Sequence, residues 1–296
     1  MSEYQRGMAF ALAAYTIWGV VPLYFKLITF ASPEEIMVHR ILWTLVLLLG
    51  IIVIRGQLRT WLQLFSAPRM LAWLFASTTL IATNWFTYLW AVLNNQIVES
   101  SLGYYITPLV SVFLGLVVLR EQLRPIQWLA LGLAACGVAG SLVIYGALPW
   151  VAVVLGLSFG FYGLVRKQVG IDAVSGLAVE TALLIPVALL GIAYLGDVAS
   201  ARLTQTRELA LLAFAAIVTA APLLLFAAAA VRLPLTVMAF VQFYAPTLSL
   251  VIGVFVFEEA FGTQQFFTFG FIWLALVVYL ADVVREARAN RPDKGT

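Results

Sequence analysis

Ten apolar stretches of about 20 residues, separated by short polar breaks, take up almost all of the 296-residue chain. A helix of that length crosses roughly 30 Å of hydrocarbon. Lipid offers no partner to a backbone N–H or C=O, so a spanning segment must satisfy itself as a helix or join a closed barrel. Barrel strands alternate in polarity, whereas runs such as Leu42 to Ile54 are apolar on every face. The expected fold class is therefore all-α integral membrane. Only 10% of the residues are charged and 63% are hydrophobic, against about 25% charged in soluble domains. A water-soluble fold is excluded, and no room is left for an attached soluble domain.

Breaks in charge, Pro and Gly place helices near 7–27, 33–54, 70–92, 98–119, 125–145, 149–166, 174–195, 208–231, 234–257 and 265–284. The run after Arg6 is too long for the apolar core of a signal peptide and is expected to stay as the first helix. With the N-terminus inside, thirteen of the seventeen Lys and Arg fall in cytoplasmic segments. The other face keeps only Lys26, Arg202 and Arg207, with Arg40 inside the second helix. Positive charge accumulates on the cytoplasmic side of membrane proteins, so both termini are expected in the cytoplasm. The formal charge of +3 forms no basic patch, and no nucleic-acid partner is expected.

The two halves resemble each other. At an offset of 138, Pro108-Leu-Val-Ser111-Val-Phe-Leu-Gly115 falls on Pro246-Thr-Leu-Ser249-Leu-Val-Ile-Gly253, Glu121 on Glu259 and Gln127 on Gln265. At an offset of 141, Leu48-Leu49-Gly50 falls on Leu189-Leu190-Gly191, and His39 falls on Glu180. An odd number of helices per repeat turns the second copy upside down, so matched loops should carry opposite charge bias. The Arg120 and Arg124 loop does match the Glu258 and Glu259 loop. The expectation is ten transmembrane helices as two inverted five-helix repeats, residues 1–146 and 147–296, the second with a short tail. Transporters use this architecture, with a site near the bilayer midplane.

Four separated segments carry a family likeness. They are Leu12-Ala-Ala-Tyr-Thr-Ile-Trp18-Gly19-Val-Val-Pro22, His39-Arg40, Glu99-Ser-Ser-Leu-Gly103-Tyr104-Tyr105-Ile-Thr-Pro108 and Phe161-Tyr162-Gly163-Leu-Val-Arg166-Lys167. They resemble the RarD group of the EamA family, in the drug/metabolite transporter superfamily. The resemblance implies a ten-helix fold of two repeats, a bacterial cell inner-membrane location and a permease role. Some members of that group carry a chloramphenicol-related label. The expected partners are the lipid bilayer and a small amphipathic metabolite or drug, exported by alternating access, the chain acting as a monomer or homodimer.

Candidate cavity residues are those whose polarity or ring must be accommodated at membrane depth. Asn84 and Tyr88 are four apart and share a helix face; Asn84 serves either a substrate or a neighbouring helix. Tyr104 and Tyr105 precede Pro108, as Gln242 and Tyr244 precede Pro246. A helical proline removes a backbone hydrogen bond, so Pro22, Pro108 and Pro246 are candidate kinks. Trp18 and Tyr162 each stand beside a glycine that permits close helix approach. Gly132, Cys136 and Gly140 are spaced for helix packing or dimer contact rather than chemistry.

Ionisable groups inside spans are functional candidates by default, here His39, Arg40 and Glu180. Arg40 either anchors an anionic group or pairs with a carboxylate. His39 and Glu180 either serve proton coupling or make structural contacts. No metal, cofactor or nucleotide site is expected: the chain has one His and one Cys and no G-x-x-x-x-G-K-[ST] motif. A membrane enzyme or lipid-handling protein is the alternative, and no nucleophile–base cluster supports it.

Overall fold

The structure, a computed structural model, describes residues 1–25, 27–93, 97–145, 150–196, 205–256 and 262–289. Lys26, Asn94, Asn95, Gln96, Arg202, Glu258 and Glu259 lie outside the described residues. Among those described, the chain is helical and contains no strand. The helices are α1 (Glu3–Phe25), α2 (Pro33–Ile54), α3 (Leu58–Gln63), α4 (Pro68–Leu93), α5 (Ile97–Val117), α6 (Pro125–Tyr145) and α7 (Trp150–Val169). They continue as α8 (Ala173–Leu183), α9 (Ile185–Leu195), α10 (Thr206–Ala230), α11 (Leu235–Gln242), α12 (Tyr244–Val256) and α13 (Thr263–Ala289).

Local chemistry sets these boundaries. The Ser32 hydroxyl accepts from the Glu35 amide at 3.2 Å, and Pro33 fills a first-turn position that needs no donor. Glu34 and Glu35 then lie at the positive end of the α2 dipole. Asp172 caps α8 by accepting from the Ser175 amide at 3.0 Å. Gly56 leaves α2 at φ 67°, a left-handed turn open to a residue without Cβ.

Every expected window contains helix; a helix within 55–69 and a bend in 174–195 differ from the sequence reading, the break in 234–257 falls at the candidate kink Pro246, and the candidates Pro22 and Pro108 leave their helices unbroken. Residues 55–69 were expected as a polar break, yet α3 and a short 3₁₀ turn form there, bent 94° from α4. Leu58, Trp61, Leu62 and Phe65 recur at helical spacing, which gives an amphipathic segment suited to lie in a membrane surface. The window 174–195 bends by 44° at Leu184, where Pro186 has no N–H for the Ala182 carbonyl. The window 234–257 breaks at Phe243, since Pro246 cannot donate to Gln242. By contrast α5 runs unbroken through Pro108 and α1 through Pro22.

By length and composition α1, α2, α7 and α10 can each cross a membrane, and up to six spans result if each bent pair counts as one. Apolar side chains cover the outside: Ile54 is 88% exposed, Tyr194 81% and Leu190 72%. Two charged side chains, Arg166 and Glu180, are by contrast buried together in the interior. Such an inverted distribution suits a hydrocarbon solvent and not water.

The tightest seam joins α5 to α7. Gly103 admits Leu155, while Gly156 and Gly160 admit Ile106 and Val110. In addition α4 packs on α7, α10 on α1, α11 on α5, α12 on α1, α6 on α13, and α2 on α8 and α9. Gly132 and Gly140 meet nothing within 4 Å and Cys136 is exposed, so that stripe faces outward instead of packing within the chain.

Glu121 ties the α5–α6 turn to a distant helix. Arg120 takes φ 54° just before it, and Gly115 leaves room for its carboxylate. That carboxylate accepts from the Leu235 and Thr236 amides at 2.7 and 2.9 Å, capping α11, and Lys167 Nζ lies 3.8 Å away. Charge-assisted capping contributes about 1–2 kcal/mol. Glu121→Ala should therefore lower the apparent stability of the detergent-solubilised protein by about that amount; an unchanged melting temperature would remove the capping role.

Candidate functional site

Inside the bundle lies a cavity of about 190 Å³. α1 contributes Tyr15, Trp18, Pro22 and Tyr24; α2 contributes Arg40; α4 contributes Asn84, Trp85 and Tyr88. Tyr104 of α5, Phe159 of α7, Thr219 of α10, and Gln242 and Pro246 at the α11–α12 break complete the main walls. Helices from both halves of the chain therefore face one space.

Each element delivers its side chain for a local reason. Trp18 projects because Gly19 lets α1 approach α12 closely; a Cβ there would stand 2.9 Å from Leu248. Its ring packs 5.5 Å from Tyr15, 5.4 Å from Phe159 and 5.8 Å from Phe226. Asn84 donates from Nδ2 to the Leu155 carbonyl at 3.1 Å and to Ser158 Oγ at 3.0 Å. It thus binds α4 to α7 and borders the cavity as well. Tyr88 and Tyr104 meet with ring centroids 6.0 Å apart. Gln242 comes to the wall because α11 stops at it.

Trp18, Asn84, Tyr88, Tyr104 and Gln242 line the cavity, as do Pro22, Pro246 and Arg40. Tyr105 does not: one residue beyond Tyr104 is about 100° around the helix, and the ring enters a core shared with Phe240, Phe243 and Tyr279. Tyr162 lies a turn past Phe159, buried and stacked on Phe226 with centroids 5.9 Å apart. Tyr244, just after the break, faces outward at 38% exposure. Pro108 is likewise outside the lining.

Tyr15, Trp85, Phe159 and Thr219 also line the cavity, and the sequence did not single them out. Trp85 sits between Asn84 and Thr87 in a polar run and could have been included. Thr219 is one hydroxyl in an Ala-rich helix and gives no signal of its own.

The three ionisable candidates have different surroundings. Arg40 Nε donates to Thr219 Oγ1 at 2.9 Å, and its guanidinium carbon lies 4.4 Å from the Trp85 ring centroid. His39 is buried, and its Nδ1 accepts from Trp43 Nε1 at 3.1 Å. Glu180 is buried in a network away from the cavity walls. It takes Arg166 Nη1 at 3.2 Å, the Tyr162 hydroxyl at 3.4 Å and the Ser77 hydroxyl. A Cβ on Gly176 would collide with the Arg166 guanidinium, so that glycine makes the pair possible.

The two ends of the cavity differ. Its walls include Tyr24 and Phe25 at the end of α1, Arg40 near the start of α2, and Ala215 and Val218 in the first half of α10. Toward the other end, the Tyr15–Tyr162–Phe226 cluster, the Arg166–Glu180 pair and the Glu121–Lys167 contact follow in turn.

The EamA-like transporter family matches residues 5–143. An uncharacterized transporter of Pseudomonas aeruginosa is 43% identical over 96% of both chains. Protein RarD of Escherichia coli is 41% identical over 96% of this chain and 97% of that one. The chloramphenicol-sensitive protein RarD of Pseudomonas aeruginosa is 29% identical over 96% of both. A solved crystal structure shares the fold, with a TM-score of 0.68 at 17% identity, covering 92% of this chain and 96% of that one. With an all-helical body, an apolar exterior and full-length relatives of this kind, the chain belongs to the EamA-like transporter family, alongside proteins named RarD, and is a membrane permease.

Proposed function

We propose that this chain is a ten-span permease of the bacterial inner membrane, with both termini cytoplasmic and two inverted repeats, 1–146 and 147–296. It exports a small amphipathic metabolite by alternating access. The cavity between the halves carries the reading, since aromatic rings, amides and one cation converge there from both repeats. A volume of about 190 Å³ falls below the roughly 300–1,000 Å³ of pockets for drug-sized ligands. It suits a molecule of one ring and a short polar tail.

Partner exchange between the halves supports the repeat. If helices one to five correspond to six to ten, α5 on α7 becomes α11–α12 on α1, and α4 on α7 becomes α10 on α1. Both pairings occur, as do the self-corresponding α6 with α13 and α2 with α8 and α9. In the expected topology the end of α1 is periplasmic, so the cavity reaches toward the periplasm and the aromatic and ionic layers close the cytoplasmic end. Opening those layers while closing the other side is the motion that alternating access requires.

The test has two parts. Reporter fusions after Arg55, Arg120 and Arg232 should report cytoplasm, and those near Phe30 and Gly262 periplasm; one reversed loop in a functional fusion breaks the inverted-repeat topology. Proteoliposomes loaded with a bacterial metabolite extract should lose at least one small solute faster with wild-type protein than with Tyr88→Ala or Gln242→Ala protein. If no solute leaves faster with wild type, the permease reading fails for this cavity.

A further inference from the structure

Three buried or half-buried basic groups elsewhere in the chain have a carboxylate beside them. Arg166 has Glu180 at 3.2 Å, Arg124 has Asp282 at 2.6 Å, and Lys167 has Glu121 at 3.8 Å. Arg40 has none among the described residues, and no carboxylate lines the cavity it faces. Its position, seven residues past Pro33, lies roughly 10 Å along α2. A cation at such depth without a counterion costs free energy unless water or a ligand compensates it.

Its two contacts orient the group and leave its charge in place. Thr219, from the opposite half of the chain, occupies one N–H, and the Trp85 face supports the guanidinium plane. A cation–π contact contributes about 0.5–2 kcal/mol, less than a desolvated carboxylate partner. Arginine carries five N–H donors in a rigid fork, so up to about four remain for a ligand. Tyr88 and Tyr104 add hydroxyl-bearing rings around the same space, Tyr24 giving its O–H to the Leu211 carbonyl, and Trp18, Trp85 and Phe159 give it flat apolar walls.

We infer that the cavity takes a small organic anion, a single planar ring bearing one carboxylate, which Arg40 holds while the aromatic walls flank the ring. The inference rests on the permease reading and adds the charge and shape of its substrate. A phospholipid phosphate offers similar chemistry to Arg40, but the enclosing aromatic walls favour a ring.

Thermal unfolding of the purified protein in neutral detergent, titrated with phenylacetate, phenylacetamide and phenethylamine, separates these possibilities. The three probes share a ring and differ in charge, and a ligand that binds only the folded state raises the unfolding temperature as its concentration rises. Phenylacetate should bind at least about tenfold more tightly than phenylacetamide. Arg40→Gln should abolish that preference while keeping the response to phenylacetamide. Arg40→Lys should keep a weakened preference, because an ammonium lacks the fork that stacks on Trp85. Equal stabilisation by the amide, or a preference surviving in Arg40→Gln, overturns the anion inference and leaves the permease reading intact. Stabilisation through Arg40 by phosphatidylglycerol and not by phenylacetate overturns it in favour of lipid. No response to any of the three probes in wild type overturns both the inference and the cavity as a substrate site.

Discussion

Glu180→Gln is expected to lower the apparent melting temperature of the purified protein by roughly 6–20 °C. Arg166 and Glu180 expose only 2% and 1% of their side chains and lie 3.2 Å apart. Removing one member of a buried pair costs about 3–5 kcal/mol, because the other is left charged and out of water, and a domain of a few hundred residues loses about 2–4 °C per kcal/mol. Glutamine keeps one acceptor oxygen for Ser77 and turns its amide N–H toward the Tyr162 hydroxyl oxygen, so size and most hydrogen bonding are retained while the charge is lost. Arg166→Met combined with Glu180→Leu removes both charges and should recover most of the lost stability. The same single variant addresses proton coupling, since a Glu180 that only neutralises Arg166 leaves gradient dependence unchanged in whatever protein folds. A Glu180→Gln protein as stable as wild type would deny the pair its structural role.

How far the fold was legible follows from which physical signal each element leaves. Apolar length marks a helix in such a chain, and every expected window contains helix, four to six of them qualifying as spans by length and composition. The α3 segment was missed because its residues were read for the charges of Arg55, Arg59 and Arg69, and not for the helical spacing of Leu58, Trp61, Leu62 and Phe65. The break at Phe243 has a visible cause in Pro246, whereas Pro108 at the matched position leaves α5 intact. A proline signals the missing hydrogen bond, and surrounding packing decides whether the helix breaks.

The site was harder to read because helices that are apolar all round carry no azimuthal signal. Neighbours Tyr104 and Tyr105 look alike in sequence, yet one faces the cavity and the other the core behind it. His39 and Glu180 illustrate the same limit: an offset of 141 matches them in sequence, while their partners differ in kind, Trp43 in one case and Arg166 in the other. Thr219 acquires meaning only through its contact with Arg40, 179 residues away.

Packing between the halves leads to the second large effect. Gly156→Ala with Gly160→Ala is expected to destabilise the protein by about 2–6 kcal/mol, whereas Gly132→Ala with Gly140→Ala should leave it unchanged or slightly stabilised. A Cβ at Gly156 would stand 2.6 Å from Ile106 Cγ2, and one at Gly160 2.6 Å from Val110 Cγ1. Both partners are β-branched and stiff at χ1, so relief requires α5 and α7 to separate, which also loosens the Leu155 contact at Gly103. Overpacking costs about 1–3 kcal/mol per site, and the two sites share one seam, so their effects need not add. Gly132 and Gly140 meet nothing within 4 Å, and there alanine gains up to about 1 kcal/mol of helix propensity per site. The comparison holds chemistry constant and varies only the neighbour, with melting temperature and monodispersity in detergent as the readouts. Adding Val110→Ala to Gly160→Ala should restore part of the loss by removing the colliding methyl. Equal behaviour of the two glycine pairs would show that the α5–α7 seam does not depend on close backbone approach.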